Sequence, residues 1–255
     1  MSHCNNINHF SRMVFYHLSK VFSHRLSFSE VGLTDHLLLN IVEYSAITND
    51  RSVKIYKLPW TVESLYGNDI DIFVQNREGT YNWYALQAKV MSYNGAFKDL
   101  KYNKDEVFQQ WDKLLRHESV YGSKTFYLLY SGNSLRAPYI QPSRSDCLGV
   151  PDINELGLGI VETRIVANIR MNILRHSQMF YFEQVFPDHL DSLRKLFCCL
   201  PHLPPEGRTF KREEIETFGY REVYADSKDF DEDRDSQRYE IPDGAAAIRM
   251  VINSK

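Results

Sequence analysis

The sequence predicts an α/β fold in which one mixed β-sheet is flanked by helices. Two N-terminal segments carry apolar residues at helical spacing, and three strand-like segments follow them. A further helix then separates the last of these strands from another apolar strand, an arrangement that lets the two strands run parallel. We therefore expect a core with the element order α, β, β, β, α, β, followed by a C-terminal α+β extension.

The two N-terminal helices are predicted from their apolar stripes. Residues 7–24 form an amphipathic helix, and Thr34 is a good N-cap for a second helix. This start would place Glu30 at the entrance of the second helix. The two stripes consist of Phe10, Met13, Val14, Leu18 and Val21, and of Leu37, Leu38, Ile41 and Val42.

The first strands are predicted from β-branched and aromatic residues that are bounded by turn signals. Residues 53–58 form a strand that Pro59 stops. Residues 67–74 and 83–90 form a hairpin, and the polar segment 76–79 supplies its turn.

The chain after the hairpin is predicted to cross over and return to the sheet. Residues 105–117 have the pattern of a helix, and residues 125–130 that of a buried strand parallel to the second hairpin strand. We assign residues 1–132 to the N-terminal helix and the core. Residues 133–255 are then an extension packed on that core, within one globular unit overall.

The extension gives weaker signals. Residues 133–152 are a long loop rich in Ser, Pro and Arg, in which Arg136 and Arg144 either contact a substrate or have no role. The remaining segments are a strand or helix at 160–173, a helix at 188–200 and a closing strand at 246–252.

Two clusters in the extension have a functional and a structural interpretation. The aromatic run at 180–182 would be a base-stacking platform or apolar core, and we favour core. Cys198, Cys199 and His202 would bind zinc or pack at a helix end, and we favour packing because no second ligand pair is present. The four cysteines have no paired CxxC spacing, so we expect reduced thiols.

Polar side chains at alternating positions of the hairpin are the most informative feature of the chain. Asp69 and Asp71 share one face of the first strand, and Gln87 and Lys89 share one face of the second. In an apolar sheet such a cluster lowers stability unless it binds something. Its oxygens suit Mg²⁺ or Mn²⁺, and the ammonium group would orient an attacking water. The alternative is the solvent-facing side of a one-sided sheet.

The order of these residues resembles the PD-(D/E)xK nuclease superfamily, in the branch similar to Mrr-type restriction endonucleases. The resemblance rests on Gly-Asn-Asp-Ile-Asp at 67–71 and on Leu-Gln-Ala-Lys at 86–89, where Gln replaces the second acid. It covers residues 28–132 and implies a restriction-endonuclease-like αβββαβ core. It also implies an acid near the first helix and a further Gln on the helix after the lysine strand. Glu30 and Gln110 match these two positions.

The family pattern leaves one choice of ligand open. Asn68 stands where the proline of the family name would precede the first aspartate, and many members also lack that proline. Asp69 follows a Gly-x-Asp form whereas Asp71 directly precedes the apolar run, so either is the chief ligand. By resemblance, the metal ligands are Asp69, Asp71, Gln87 and Glu30, Lys89 positions the nucleophile, and Gln110, Lys101 and Lys104 contact the substrate.

The resemblance implies a Mg²⁺- or Mn²⁺-dependent endonuclease that hydrolyses DNA, in a branch that often serves in prokaryotic anti-phage defence. An RNA-directed nuclease with the same chemistry is one alternative. A non-catalytic nucleic-acid-binding or assembly module that kept the fold is another, although the intact motif argues against a decayed site. Cleavage of both duplex strands favours a homodimer. The residues identify no activator or protein partner.

Composition excludes several classes of protein. The 255 residues are 43% hydrophobic and 13% aromatic, which excludes wholesale disorder. The sequence contains neither a run of eighteen apolar residues nor an apolar signal core, so we expect a cytoplasmic protein without a membrane partner.

Charge gives no global signal for nucleic acid, since the formal net charge is −3. Basic residues collect locally, and they form either a rim for phosphates or ordinary solvated charges. Residues 226–235 carry six acids against two basic residues, and we favour a solvated acidic loop over one that shields the site. The basic residues that follow the motif are Lys98, Lys101, Lys104, Lys113, Arg116 and Lys124.

Overall fold

The structure is a computed structural model that describes residues 3–58, 66–100, 108–133, 151–172, 179–198, 208–215, 221–223 and 244–253. The helices are α1 (His3–Ser23), α2 (Glu30–Thr48), α3 (Gln110–Tyr121), α4 (Thr163–Asn172) and α5 (Lys195–Cys198). The strands are β1 (Val53–Lys57), β2 (Ile70–Gln75), β3 (Tyr81–Val90), β4 (Ala96–Phe97), β5 (Lys124–Tyr130), β6 (Leu158–Glu162), β7 (Phe180–Tyr181), β8 (Asp191–Ser192), β9 (Arg221–Val223) and β10 (Ile248–Ile252).

Eight of these strands form one mixed sheet in the order β8-β6-β5-β3-β2-β10-β1-β9. The β3–β5 and β10–β2 pairs are parallel, and the other pairs are antiparallel. Strands β4 and β7 form a separate two-stranded sheet. The predicted α/β fold with a large mixed sheet flanked by helices is therefore confirmed, as is the parallel β3–β5 pair.

The two faces of the large sheet are covered by different helices. Helices α1 and α2 pack on the face that carries Ile70, Ile72, Leu86 and Ala88. Helices α3 and α4 pack on the face of Tyr127 and Leu129, and an aromatic cluster around Phe73 and Trp83 extends that face. Residues alternate between the two faces of each strand. In the strand register, Gln87 and Lys89 pair with Tyr127 and Leu129, which places both on the α3 face.

The helices differ from their predicted bounds because the true caps lie elsewhere. Helix α2 begins at Glu30, since Ser29 is the N-cap and its Oγ accepts a hydrogen bond from the Gly32 amide. Thr34 lies inside the helix, where its hydroxyl donates to the Glu30 carbonyl oxygen. Helix α3 begins at Gln110 and ends at Tyr121, and Gly122 after it is a left-handed C-cap with φ 73°.

The first three strands of the chain are not all neighbours in the sheet. Strands β2 and β3 form the predicted hairpin, but β1 does not pair with β2, because β10 lies between them. The C-terminal strand is therefore an internal strand of the sheet. The described residues after position 133 also supply β6, β8 and β9 to the same sheet.

The ambiguous segments of the C-terminal half are resolved by packing. Residues 160–173 contain both predicted alternatives, since β6 ends at Glu162 and α4 begins at Thr163. Of the helix expected at 188–200, the described residues up to 198 form only α5, which is preceded by β8. Phe180 and Phe182 are almost fully buried, which confirms the core interpretation of the aromatic run.

Several expectations fall outside the described residues. These are Lys101 and Lys104, Arg136 and Arg144 with most of the 133–152 loop, Cys199 and His202, and the acidic segment 226–235. Cys4 and Cys198, the cysteines that are described, are in the thiol form, and their Sγ atoms lie 2.9 Å apart. Among the described residues, no helix has the length and apolar character needed to cross a bilayer.

Candidate functional site

Four polar side chains meet where the hairpin strands end beside the start of α2. We call Glu30, Asp69, Gln87 and Lys89 the polar cluster. The Gln87 amide nitrogen lies 2.5 Å from Asp69 Oδ2, and Lys89 Nζ lies 3.4 Å from Glu30 Oε1. Lys89 also interacts electrostatically with Asp69. These contacts bring Glu30 together with three of the four polar residues at the alternating positions of the hairpin.

Backbone geometry fixes the two acids of the polar cluster. Asp69 lies immediately before β2, where its amide donates to the Leu86 carbonyl oxygen at 2.8 Å. Its carboxylate in turn accepts a hydrogen bond from the Ala88 amide at 2.8 Å. Glu30 is the first residue of α2, and the N-terminal end of a helix dipole favours an acid there.

Burial makes the charge state of the polar cluster sensitive to its surroundings. Desolvation raises the pKa of Asp69 above its ordinary value, although the Ala88 amide, Lys89 and Gln87 act in the opposite direction. The Lys89 side chain is only 7% exposed, and that of Glu30 is 28% exposed. Water therefore has limited access to the ammonium group, and a cation beside Asp69 would favour the ionised carboxylate.

Gly67 leaves space between two glutamine side chains. Its φ is +74°, and a β-carbon built on it would lie 3.4 Å from Gln87 Oε1 and 3.6 Å from Gln110 Cγ. The Oε1 atom of Gln110 is buried and has no hydrogen-bond partner among the described residues. Gln110, which the sequence places on the helix after β3, thus lies beside the polar cluster, and its Oε1 atom is a buried acceptor that the described residues leave unsatisfied.

Asp71 is not part of the polar cluster, which corrects its assignment as a metal ligand. Its Oδ1 atom accepts hydrogen bonds from Asn68 Nδ2 and Trp83 Nε1, both at 2.9 Å. Its Oδ2 atom accepts from the Ala246 amide at 2.9 Å and from Arg249 Nη2 at 3.2 Å. Four donors occupy the lone pairs of a carboxylate that is 0% exposed, so no oxygen remains for a cation.

Asp71 instead joins β2 to the inserted C-terminal strand. Asn68 also donates to the Gly244 carbonyl oxygen at 3.1 Å, and His117 Nε2 lies 2.8 Å from the same oxygen. Burial lowers the pKa of His117, so the ring is neutral and donates from Nε2. Strand alternation alone does not predict this network, although Arg249 within the otherwise apolar strand β10 signals a buried acid partner.

The polar cluster offers oxygen donors of the kind that hard divalent cations prefer. Both hydrogen bonds to Asp69 fall on Oδ2, which leaves Oδ1 available within the described part of the chain. Gln87 Oε1 and the Glu30 carboxylate are the further oxygens. Among the described residues, no three His, Cys, Asp or Glu side chains are grouped so that they could hold a metal ion. A third protein ligand beside Asp69 and Glu30 therefore has to be the Gln87 amide oxygen. These oxygen donors are of the kind that fits Mg²⁺ or Mn²⁺.

The comparisons with known proteins give a family. The model of a family described as "Family of unknown function (DUF6615)" matches residues 3–251, and the chain belongs to this family. No curated protein and no solved structure matches the chain.

Proposed function

We propose that this member of the DUF6615 family is a Mg²⁺- or Mn²⁺-dependent nuclease that hydrolyses phosphodiester bonds in DNA. The observation that carries the proposal is the meeting of Asp69, Gln87, Lys89 and Glu30 at the end of the hairpin. The surrounding element order supports a restriction-endonuclease-like core, because β3 is followed by α3 and by the parallel strand β5. Strand β10 is an insertion into that core in this proposal.

Three side chains would hold the cation. Asp69 through Oδ1, Gln87 through Oε1 and the Glu30 carboxylate provide oxygen ligands from three different elements. When bound, the cation supplies Lewis acidity to the phosphate group and stabilises the charge that develops on it. Gln87 has a second role, because its amide nitrogen holds Oδ2 of Asp69 and thereby orients the other oxygen.

Lys89 would position the attacking water. Its ammonium group is held by Glu30 at 3.4 Å in a nearly buried position, where competition from bulk water is low. If Glu30 held the cation, its carboxylate would accept less from Lys89, and the ammonium group, which has three N–H donors, would have a donor available. Lys89 would then donate one of them to the water oxygen and offset negative charge on the phosphate in the transition state.

The proposal is tested by incubating the purified protein with supercoiled plasmid, single-stranded DNA and RNA, each with Mg²⁺, Mn²⁺ or EDTA. Metal-dependent cleavage of DNA is expected, and Asp69→Asn should abolish it because the free oxygen of Asp69 becomes a weaker ligand. Asp35→Asn is the matched control, since Asp35 is a surface acid with a 48% exposed side chain paired to Lys57. It should cleave at the wild-type rate.

The other outcomes separate the alternative functions. Cleavage of RNA alone would replace DNA by RNA as the substrate. Binding of nucleic acid without cleavage under any condition would favour a non-catalytic module. Equal cleavage by the wild type and Asp69→Asn would refute the assignment of the polar cluster.

A further inference from the structure

Three exposed aromatic side chains flank the elements that form the site. Phe28 precedes the N-cap of α2, Tyr93 follows β3, and Phe108 precedes α3. They are 41%, 60% and 54% exposed, respectively. These elements supply the glutamate and the lysine of the polar cluster and the neighbouring Gln110. We call the three rings the aromatic rim.

Backbone hydrogen bonds hold the segments next to Tyr93 and Phe108 in the aromatic rim. Tyr93 lies in a closed turn in which the Ser92 amide donates to the Ala96 carbonyl oxygen at 2.8 Å and the Gly95 amide to the Ser92 carbonyl oxygen at 2.9 Å. The residue after Phe108 is the N-cap of α3, whose amide donates to Asp112 Oδ2 at 3.0 Å. Scattered exposed apolar residues are common, but these three rings lie only two to four residues along the chain from Glu30, Gln110 and Lys89, and that grouping indicates a ligand that covers them.

Cations near the aromatic rim specify the chemistry of that ligand. Lys98 follows the turn of Tyr93, and Lys113 and Arg116 lie on the first two turns of α3. All three are exposed, and none forms an ion pair within the described residues. Exposed rings for bases together with cations for phosphates are the two components of single-stranded nucleic-acid binding. A lipid surface or an apolar peptide would not require both exposed rings and cations beside the polar cluster.

We infer that the DNA substrate carries unpaired bases next to the phosphate that is cleaved, as in a single strand or a frayed end. Bases within a continuous duplex are stacked on each other, so their faces are closed to protein rings. Bases that leave the duplex expose those faces, and Phe28, Tyr93 and Phe108 then stack on them. This inference rests on the proposed nuclease function, because it names the substrate class of the same site.

Binding in EDTA tests the inference without any cleavage. We would measure affinities by fluorescence anisotropy for a single strand of about 20 nucleotides, for its blunt duplex and for an abasic strand of equal length. The single strand should bind about tenfold or more tightly than the abasic strand, which keeps the phosphates but offers no base. Tyr93→Ala and Phe108→Ala should each weaken binding of the single strand about 5- to 100-fold and leave the abasic strand unaffected.

Control variants separate stacking from general effects. Tyr93→Phe keeps a ring and should bind like the wild type. Tyr16→Ala removes a ring that is 55% exposed on α1, a helix that supplies no residue of the site, and should also change nothing. Equal affinity for normal and abasic strands, or tighter binding of the duplex, would overturn the inference.

Two further results distinguish this inference from others. A dimer in solution that Tyr93→Ala converts to a monomer would show that the aromatic rim is an interface between copies of the chain, and would overturn the inference. Metal-dependent cleavage of a blunt duplex with no preference for single strands would do the same while leaving the proposed nuclease function intact. Absence of cleavage on every substrate, with base-dependent binding retained, would refute the proposed function and leave the aromatic rim as a binding site for unpaired bases.

Discussion

Replacing Asp71 by Asn tests whether the second aspartate of the motif is structural. The carboxylate is 0% exposed and accepts four hydrogen bonds, one of them from Arg249, whose side chain is 3% exposed. Removing one partner of a buried ion pair costs about 3–5 kcal/mol. At about 2–4 °C per kcal/mol, Tm should fall by about 6–20 °C.

Thermal unfolding followed by circular dichroism measures this loss, and cleavage assayed below both transitions measures activity. Asp71→Asn should retain a cleavage rate close to that of the wild type at the lower temperature, because Asp71 has no oxygen free for the cation. Asp35→Asn, in the exposed pair with Lys57, should lower stability by less than about 1 kcal/mol. Adding Arg249→Met to Asp71→Asn should restore part of the lost stability, because the unpaired buried charge is removed. The reasoning is refuted if Asp71→Asn unfolds at the wild-type temperature but no longer cleaves DNA.

Three other predictions concern the site and its supporting network. Asp69→Asn should raise Tm in EDTA at pH 7 more than at pH 4. Burial raises the pKa of Asp69 above its ordinary value, so the stability of the wild type falls as pH rises through the folded-state pKa. An equal change of Tm on substitution at both pH values would contradict this. Gly67→Ala and Gly79→Ala, at φ +74° and +79°, should each cost about 1–2 kcal/mol of stability. Only Gly67→Ala should slow cleavage, since nothing lies within 4 Å of a β-carbon at Gly79; equal activities would remove Gly67 from the site. The His117→Gln protein should be less stable than the wild type at pH 7.5, and its free energy of unfolding should depend less on pH below 6.5. Burial lowers the pKa of His117, so the stability that this side chain adds in the wild type is lost as pH falls through that pKa. Denaturant titrations of both proteins check it, and identical pH slopes would argue against it.

Local pattern was enough to predict the elements around the site. Helical spacing gives α1, strand alternation with a polar turn gives the hairpin, and the register confirms that Gln87 and Lys89 share a face. Helix ends were less predictable, because Ser29 and Thr34 are both acceptable caps and only the packing of α2 decides between them.

Pairing between distant segments could not be derived from pattern alone. The insertion of β10 between β1 and β2 depends on contacts across more than 170 residues, such as the Ala246 amide with Asp71. Alternation places Asp71 on the face of Gln87 and Lys89, yet its partners come from residues that the motif does not contain. For this reason the sequence left two aspartates equivalent, whereas the hydrogen-bond partners of each carboxylate distinguish Asp69, the proposed ligand, from Asp71, the structural residue.

The single-turnover cleavage rate of Lys89→Met tests the central claim most directly. Methionine keeps the volume of the buried side chain and removes the ammonium group, so fold and DNA affinity in EDTA should be preserved. We predict that the Mg²⁺-dependent rate falls by at least about 100-fold, while Lys54→Met, on the exposed surface of β1, cleaves normally. A Lys89→Met protein that is folded and cleaves DNA at the wild-type rate would contradict the assignment of the polar cluster as a nuclease centre.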